Sequence, residues 1–336
     1  MKKSGFDKCM LPKDRLFASL AAAAMLALAS TQALAQSYPT RPVRIITPYS
    51  TGIAPDITAR IVAEKLSRQW NQQVNVEPRP GANGMIAINA GRKSPADGHE
   101  ILVLGNAHLT VNPVLFKDWS IDALAEFTPV NLVYRAGYII AVGTNAPYKS
   151  MRDLIAAAKQ GADKISYSSA YVGSPQHFGG GQLGYMVGAQ MLAVHFKETG
   201  QMMSAVANGD TNFVIATIGS TGALVKAGKM RILATVSPRR LDTHPEVPTV
   251  AESGGPTGFH VDTWMSMAVP RATPAAIVSQ LGADLGRVLA DPEVIAKFRS
   301  FGVEPETASP ARIAEMTRVE LKLNADLVQK IGIKPE

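Results

Sequence analysis

The sequence contains almost no cysteine: Cys9 is the only one among 336 residues. It precedes the apolar stretch 16–30, in a segment that we expect to be absent from the mature protein. No disulfide can therefore form in the mature chain, and its stability must come from buried apolar surface. Because Cys9 would leave with that segment, we also expect no lipid on the mature protein.

Long hydrophobic runs are scarce as well, and the clearest one, at residues 16–30, is rich in Ala and Leu. Five basic residues precede it and Ala33-Leu34-Ala35 follows it, an arrangement typical of a secretory signal peptide. The alternative is a membrane anchor, but the run is shorter than the ~20 residues that a spanning helix needs. We therefore expect a signal peptide over residues 1–35, cleavage after Ala35, and a soluble periplasmic protein that begins at Gln36.

The mature chain also lacks a strong charge of one sign. The leader carries five basic and two acidic residues, so the formal charge of +7 for the whole chain falls to +4 without it. Basic residues are scattered, and no basic helix with interleaved aromatics occurs, so we expect no nucleic-acid partner. A mild positive charge is compatible with small acidic ligands.

Length and composition predict a globular protein with two lobes. The mature chain would have 301 residues, close to the size at which one core divides into two. The composition, 46% hydrophobic and 18% charged, argues against disorder. We expect this protein to act as a monomer.

Motifs for metal binding and for catalysis are missing from the sequence. The six histidines show no H-x-H or H-E-x-x-H spacing, and neither G-x-S-x-G nor S-x-x-K occurs. Asp56 and Asp97 could form a carboxylate pair, but a helix cap and a turn explain them better. We expect no metal, no cofactor and no catalytic residue, although an exported enzyme stays open as the alternative.

The glycine-rich run 179–184 matches G-x-G-x-x-G, and Glu198 follows at the distance of a dinucleotide fingerprint. A true fingerprint opens directly from a strand, whereas about ten residues separate this run from the strand predicted to end at Ser169. We interpret the run as a helix that packs closely against its neighbours.

Apolar periodicity early in the mature chain predicts alternating strands and helices. Strands are expected at 43–46, 73–77 and 100–104, with helices from Asp56 onward and at 86–91. This order is typical of a parallel, doubly wound α/β sheet.

A polar turn, residues 47–56, lies at the carboxyl end of the first strand. Ligands bind there in open α/β sheets, because the following helix directs free N–H groups and its positive dipole end at the crevice. We expect Asp56 to be the N-cap of that helix. If the third strand neighbours the first, the loop 105–108 faces the same crevice. An ordinary strand-to-helix connection is the alternative.

From Phe127 the pattern changes. Two apolar segments, 130–133 and 138–142, have no clear helix between them, which would suit a chain that leaves one lobe for another. A second alternating series follows to residue 236, and a strand at 263–269 returns to the first lobe. We therefore assign residues 36–137 and 262–336 to lobe 1 and residues 138–261 to lobe 2.

A series of short motifs, in order along the whole mature chain, resembles the Bug-type solute-binding proteins of tripartite tricarboxylate transporters, the TctC-like family. These motifs are Tyr38-Pro39 with Arg41-Pro42-Val43-Arg44, the loop 48–56, Arg79-Pro80-Gly81-Ala82, Asp97-Gly98, Asn112-Pro113, Pro129-Val130, Ala227-Gly228-Lys229, Val247-Pro248-Thr249-Val250 and Thr263-Trp264.

The resemblance implies a periplasmic binding protein-like fold of type II: two doubly wound lobes, joined by crossing segments, that close on a small organic acid. It implies delivery to membrane transporter subunits or to a sensor. Its ligand-binding loops correspond to the following residues of this chain: Tyr49, Ser50, Thr51, Gly52, Ala54 and Asp56 in the first loop; Asn106 and Ala107 after the third strand; and Ser168, Ser169, Gly173, Ser174, His177 and Phe196 in the second lobe.

The chain departs from the family pattern at two places. Ile53-Ala54-Pro55 replaces glycines of the first loop, which narrows the cleft and restricts backbone approach. Where the family commonly has Val-Pro-Tyr-Lys-Gly, this chain has Val194-His195-Phe196-Lys197-Glu198, and the Glu198 carboxylate would repel a second ligand carboxylate. We therefore expect a ligand with one carboxylate and a less acidic far end, aromatic or amide.

Overall fold

The computed structural model describes residues 38–161, 165–170, 172–241 and 243–331. The predicted signal peptide and its cleavage site lie outside the described residues. The described residues from Arg41 onward belong to one compact unit, which contains all the helices and strands given below. None of its described helices has both the length and the apolar character needed to cross a membrane.

Ten strands form within the described residues. They are Val43–Thr47 (β1), Val74–Pro78 (β2), Glu100–Gly105 (β3), Phe127–Gly143 (β4), Ser166–Ser169 (β5), Leu192–His195 (β6), Phe213–Thr217 (β7), Met230–Thr235 (β8), Asp262–Pro270 (β9) and Glu304–Pro305 (β10).

Helices alternate with these strands and cover the sheets. They are Ala54–Trp70 (α1), Met85–Arg92 (α2), Asn112–Leu115 (α3), Ala123–Glu126 (α4), Met151–Ala158 (α5), Pro175–Val187 (α6), Thr199–Asn208 (α7), Ile218–Lys226 (α8), Ala275–Leu289 (α9), Pro292–Ser300 (α10) and Pro310–Ile331 (α11).

The first sheet has the order β2-β1-β3-β9-β4, with β10 beside β4. Strand β1 pairs in parallel with both β2 and β3, and Arg44 lies opposite Glu100. The predicted β-α-β-α-β arrangement is confirmed, and the third strand does neighbour the first, which was the condition for their two loops to share a crevice. The loops that follow β1 and β3 therefore leave the same edge of the sheet.

Strand β4 is one continuous element of 17 residues, not the two separate segments that the sequence suggested. It pairs with β9 as far as Gly137 and with β7 and β8 from Tyr138 onward. Most of its residues are buried, which explains an apolar run without alternation. The change of partners coincides with the predicted boundary between lobes, but the assignment of whole segments to each lobe stays a prediction.

The second sheet has the order β4-β7-β5-β6, and β8 pairs with the other edge of β4. Strand β5 runs parallel to β6 and β7. Apolar clusters cover both faces, one around Tyr167 and Phe213 and the other around Met202 and Val214. The first sheet has its own core around Trp264.

The glycine-rich run lies inside α6, where the sequence predicted a closely packed helix. A methyl group added at Gly179 would lie 2.7 Å from Val261, one at Gly184 would lie 2.7 Å from the carbonyl oxygen of Ala189, and one at Gly180 would overlap the Tyr167 ring. Contacts this close require glycine, so the packing interpretation is confirmed.

Candidate ligand-binding site

The predicted role of Asp56 as an N-cap is wrong. Helix α1 begins two residues earlier, at Ala54, with Ile53 at the N-cap position and no side-chain cap. Pro55 explains the early start, because its fixed φ and missing N–H suit the first turn of a helix. Asp56 therefore lies within the first turn.

Asp56 instead holds the first loop together from inside. Its carboxylate is only 1% exposed and accepts a hydrogen bond from the Gly52 N–H at 3.0 Å. It also accepts two from the Arg60 guanidinium, each at 3.0 Å. Both carboxylate oxygens are thus engaged by the protein, which fixes the path of the loop.

The outer part of the first loop is open to solvent. Ser50, Thr51 and Gly52 are exposed, and Gly52 adopts a φ of +88°, which favours glycine. Ala54, the first residue of α1, is half-buried. The N–H groups of a first helical turn have no acceptor within the helix, so this loop is suited to an anionic group.

Tyr49 lies across the ends of β1 and β3. Its N–H donates to the Thr47 Oγ1 at 3.3 Å. Its ring meets the His108 ring edge-on, with centroids 5.4 Å apart, and its phenol oxygen lies against the α-carbon of Gly105. The loops after the two strands are therefore in direct contact through this side chain.

His108 is a buried, uncharged support for the same loops. Its Nδ1 accepts a hydrogen bond from the Gly105 N–H at 3.2 Å, which leaves the ring proton on Nε2. Its ring lies so close to Gly84 that a methyl group added there would overlap it. Burial lowers the pKa of His108 to about 4. His108 is therefore a core histidine.

The loop after β3 is more regular than predicted. Residues Ala107–Val111 form a π-helical turn that leads into α3. The Asn106 Oδ1 accepts a hydrogen bond from the Thr263 Oγ1 at 2.8 Å, and its carbonyl oxygen accepts one from the Thr110 Oγ1 at 2.9 Å. Asn106 is thus tied to β9, the strand that returns from the second sheet.

Three predicted residues of the second sheet come together at the start of α6. Ser174 is the N-cap, and its Oγ accepts a hydrogen bond from the His177 N–H at 3.2 Å. The Ser169 and Ser174 hydroxyl groups lie 2.9 Å apart. The contact between these two hydroxyl groups ties the end of β5 to the positive end of a 13-residue helix.

Ser168 and Phe196 point elsewhere. The Ser168 hydroxyl donates to the Met202 carbonyl oxygen at 3.2 Å and lies 2.7 Å from the Thr211 hydroxyl, inside the second sheet's core. The half-buried Phe196 ring packs against the cluster that contains Met202 and Met203. Their contact with a ligand stays a prediction that the described contacts do not favour.

His177 has a histidine neighbour that sequence reasoning missed. Its Nδ1 accepts a hydrogen bond from the Gly173 N–H at 3.1 Å, and its ring meets the His195 ring edge-on at 5.0 Å. Burial, and to a lesser degree the charge of His195, lower the pKa of His177 to about 4. Only the register of β5 with β6, Ser169 opposite His195, brings these two rings together.

The two halves of the site meet at Gly173. A methyl group added there would overlap Leu115 of α3, which follows the Asn106 loop in the chain. Leu115 also forms an apolar cluster with Phe178 of α6 and Val328 of α11. Elements that follow strands of the two sheets are therefore in contact here, and we call this contact region around Gly173 and Leu115 the seam.

A cavity of about 610 Å³ opens at this seam and includes Asn106, Ala107 and Gly173 of the predicted site. Most of its other walls come from α6 and α11, which sequence reasoning did not include. The other lining residues are Val111, Arg135, Pro175, Phe178, Gly179, Gln182, Tyr185, Met186, Gly258, His260, Val261, Arg312, Met316, Val319, Glu320, Leu323, Asn324, Asp326, Leu327 and Lys330.

The sequence matches the model of a known protein family. This family is described as the tripartite tricarboxylate transporter family receptor, TctC, and its model matches residues 58–333. The chain belongs to this family. The resemblance seen in the sequence motifs is thereby confirmed.

Individual relatives agree with this assignment. A UPF0065 protein of Bordetella bronchiseptica is 30% identical over 316 residues, which cover 94% of this chain and 93% of that protein. The protein BugT of Bordetella pertussis is 27% identical over 301 residues, which cover 89% of this chain and 92% of BugT.

Solved structures show the same fold. An adipate-bound protein of R. palustris is 28% identical, with a TM-score of 0.80, over 89% of this chain and all of that one. The periplasmic binding protein BugD is also 28% identical, with a TM-score of 0.74, over the same shares. This TctC receptor therefore has the two-lobed α/β fold of periplasmic solute-binding proteins, and the predicted fold class is confirmed.

Proposed function

We propose that this TctC receptor captures a small carboxylated organic solute in the periplasm and delivers it to a tripartite tricarboxylate-type transporter or to a sensor. The observation that carries the proposal is the cavity at the seam, where the loop after β3 and the start of α6 come together. The first loop packs on the loop after β3 through Tyr49 and leads into α1, and the N-termini of α1 and α6 both suit an anion. The adipate bound to a 28% identical structure supports a carboxylate as the ligand class.

Ligand capture would work by closure. A solute that touches the first loop and the Ser174 loop at once stabilises the conformation in which the lobes are close, by its differential affinity for that state. The direct contact of Gly173 with Leu115 supports a seam that closes at this point.

The protein would act by binding alone. The Ser174 hydroxyl pairs with Ser169 and the His177 N–H, while the His177 Nδ1 is occupied by the Gly173 N–H, so that nitrogen is not available as a base for a serine. Recovery of the solute unchanged after prolonged incubation, followed by NMR, tests this. Turnover of the tightest ligand would support the exported-enzyme alternative.

A thermal-shift screen tests the ligand class. A saturating carboxylate should raise the unfolding midpoint, because a ligand that binds only the folded protein stabilises it by mass action. Mono- and dicarboxylates are compared with neutral compounds of the same size. Shifts produced by neutral compounds alone would contradict the proposal. Loss of affinity in Thr51→Ala and Ser174→Ala would support a binding site at these two loops. Unchanged affinity in both variants would show that the site lies elsewhere.

Export is tested separately. We expect the protein in the periplasmic fraction with Gln36 as its first residue, which mass spectrometry of the secreted chain measures. An uncleaved, membrane-bound product would contradict the predicted signal peptide.

A further inference from the structure

Several exposed apolar side chains surround one cavity. Seven large hydrophobic side chains are exposed among the described residues, and four of them line the 610 Å³ cavity: Tyr185 (53% exposed), Met186 (37%), Val319 (52%) and Leu323 (55%). Scattered apolar side chains on a surface need no explanation, but a cluster around one concave space indicates a binding site.

The cavity is a groove between one face of α6 and one face of α11. The α6 residues Phe178, Gln182 and Tyr185 lie three or four positions apart, and so do Val319 and Leu323 of α11. Helix faces of this kind normally close against each other. Here α6 and α11 meet where Ile331 packs on Gly181 and where Val328 joins Phe178 in the cluster around Leu115, and the cavity stays open beside these contacts. We call it the α6–α11 groove.

The inner end of the α6–α11 groove reaches the predicted ligand loops. Asn106 and Gly173 line it there, together with Pro175, the first residue of α6. The positive end of the helix dipole therefore lies at the inner end, where a carboxylate is stabilised. The apolar residues lie further along α6, at Tyr185 and Met186.

The positively charged side chains that line the groove are balanced by negatively charged ones. Arg312 and Lys330 are matched by Glu320 and Asp326, and the Arg135 guanidinium pairs with Glu306 at 2.8 Å. The wall thus offers no net positive charge to a second carboxylate, whose burial would be costly. Its volume is in the range of small-molecule sites, which are mostly apolar with few polar groups.

We propose that the α6–α11 groove receives the apolar body of the solute. The ligand is then an amphipathic monocarboxylic acid, with its carboxylate at Asn106 and Gly173 and its aliphatic chain or aromatic ring against Tyr185, Val319 and Leu323. This inference rests on the proposed function, since it assumes that the loops hold a carboxylate. Each methylene buried in the groove should lower the Kd about fourfold.

Isothermal titration calorimetry of the full mature protein tests the inference. The ligands are butanoate, hexanoate, octanoate and 4-phenylbutanoate, and the proteins are the wild type, Leu323→Asp, Val319→Asp and Leu192→Asp. Leu192 is the matched control, because it is 57% exposed and does not line the groove. We expect affinity to rise with chain length in the wild type and in Leu192→Asp, and this rise to be lost in both groove variants.

The outcomes separate the inference from the proposed function. If short acids bind but chain length has no effect, or if Leu192→Asp and Leu323→Asp behave alike, the groove does not hold the ligand, while the proposed function survives. If no carboxylate binds the wild type, the proposed function fails and the inference with it. If the groove variants bind every acid normally but no longer support transport, the groove contacts a protein partner and the inference is overturned. Circular dichroism establishes that each variant is folded.

Discussion

The phenol oxygen of Tyr49 rests on the α-carbon of Gly105, at the point where β3 ends. This contact joins the loops that follow β1 and β3, and His108 supports both partners from behind. The loops that follow β1 and β3 therefore form a packed unit in which no side chain larger than hydrogen fits at residue 105.

Gly105→Ala should weaken solute binding. The added methyl group would overlap the Tyr49 phenol oxygen and displace the ring, at a cost of about 1–3 kcal/mol in stability. Adding Tyr49→Phe removes the colliding atom and should restore most of the loss. Calorimetric Kd values and urea unfolding measure both effects. Gly222→Ala is the control, because a methyl group there meets nothing within 4 Å. Equal losses in the single and double variants would contradict the role of this contact.

Asp56→Ala should loosen the first loop and reduce affinity. It removes the acceptor of the Gly52 N–H and the partner of Arg60. We expect a loss of about 1–3 kcal/mol in stability, as for other buried charged groups that hold hydrogen bonds. Asp153→Ala is a matched control, since Asp153 accepts from the Lys149 N–H with the same four-residue spacing, away from the predicted site. Affinity that falls no further than in this control would mean that the loop does not need Asp56.

Ser174→Ala should affect both stability and binding, whereas Ser150→Ala should affect stability alone. Each serine is an N-cap whose Oγ accepts an N–H three residues later, at 3.2 Å in both helices. Loss of such a cap costs about 1 kcal/mol. Only Ser174 lies at the seam, so only its variant should raise the Kd. Thermal unfolding and calorimetry on the two variants decide between these outcomes; a similar Kd in both would argue against a ligand at α6.

The stability of the protein should fall as the pH is lowered from 7 to 4. The pKa of His108 is lowered from 6.5 to about 4 by burial, so the unfolded chain binds a proton that the folded chain excludes. The corresponding stabilisation, about 3 kcal/mol, is present above pH 6.5 and is lost as the pH falls toward 4.

Urea unfolding at pH 7, 5.5 and 4 measures this dependence. His108→Asn can still accept the Gly105 N–H, and it should show a shallower slope against pH than the wild type. His260→Asn, which changes an exposed histidine, should keep the wild-type slope. Parallel slopes for the wild type and His108→Asn would show that His108 is not the group responsible.

Much of the fold could be predicted from periodicity, because burial imposes it locally. The parallel strands β1, β2 and β3 and the helices between them follow directly from apolar spacing. The apolar segments predicted at 130–133 and 138–142 are parts of one strand, β4, and Arg135 and Gly137 lie between them. In the structure Arg135 pairs with Glu306, 171 residues away, and Gly137 lies where the strand changes sheets. Partners so distant in sequence cannot be read from a local pattern.

The site was predicted less completely than the fold. The prediction that Asp56 is a cap used local sequence only. In the structure the helix begins at Ala54, with Pro55 in its first turn, and the Asp56 carboxylate accepts a hydrogen bond from Arg60. Ser169, Ser174 and His177, which were assigned to the site from the family resemblance, do come together at the start of α6.

The sequence by itself determined the family, the order of strands and helices, and the loops at the strand ends, because motif order and apolar periodicity are properties of neighbouring residues. Only the tertiary structure decided that Tyr49 covers Gly105, that His177 faces His195, and that an open cavity lies between parts of α6 and α11. An apolar stripe at helical spacing predicts that a helix packs against something. Whether the stripe packs against another helix or lines an open groove depends on the relative positions of distant parts of the chain. Here β4, β9 and the end of α11 set those positions.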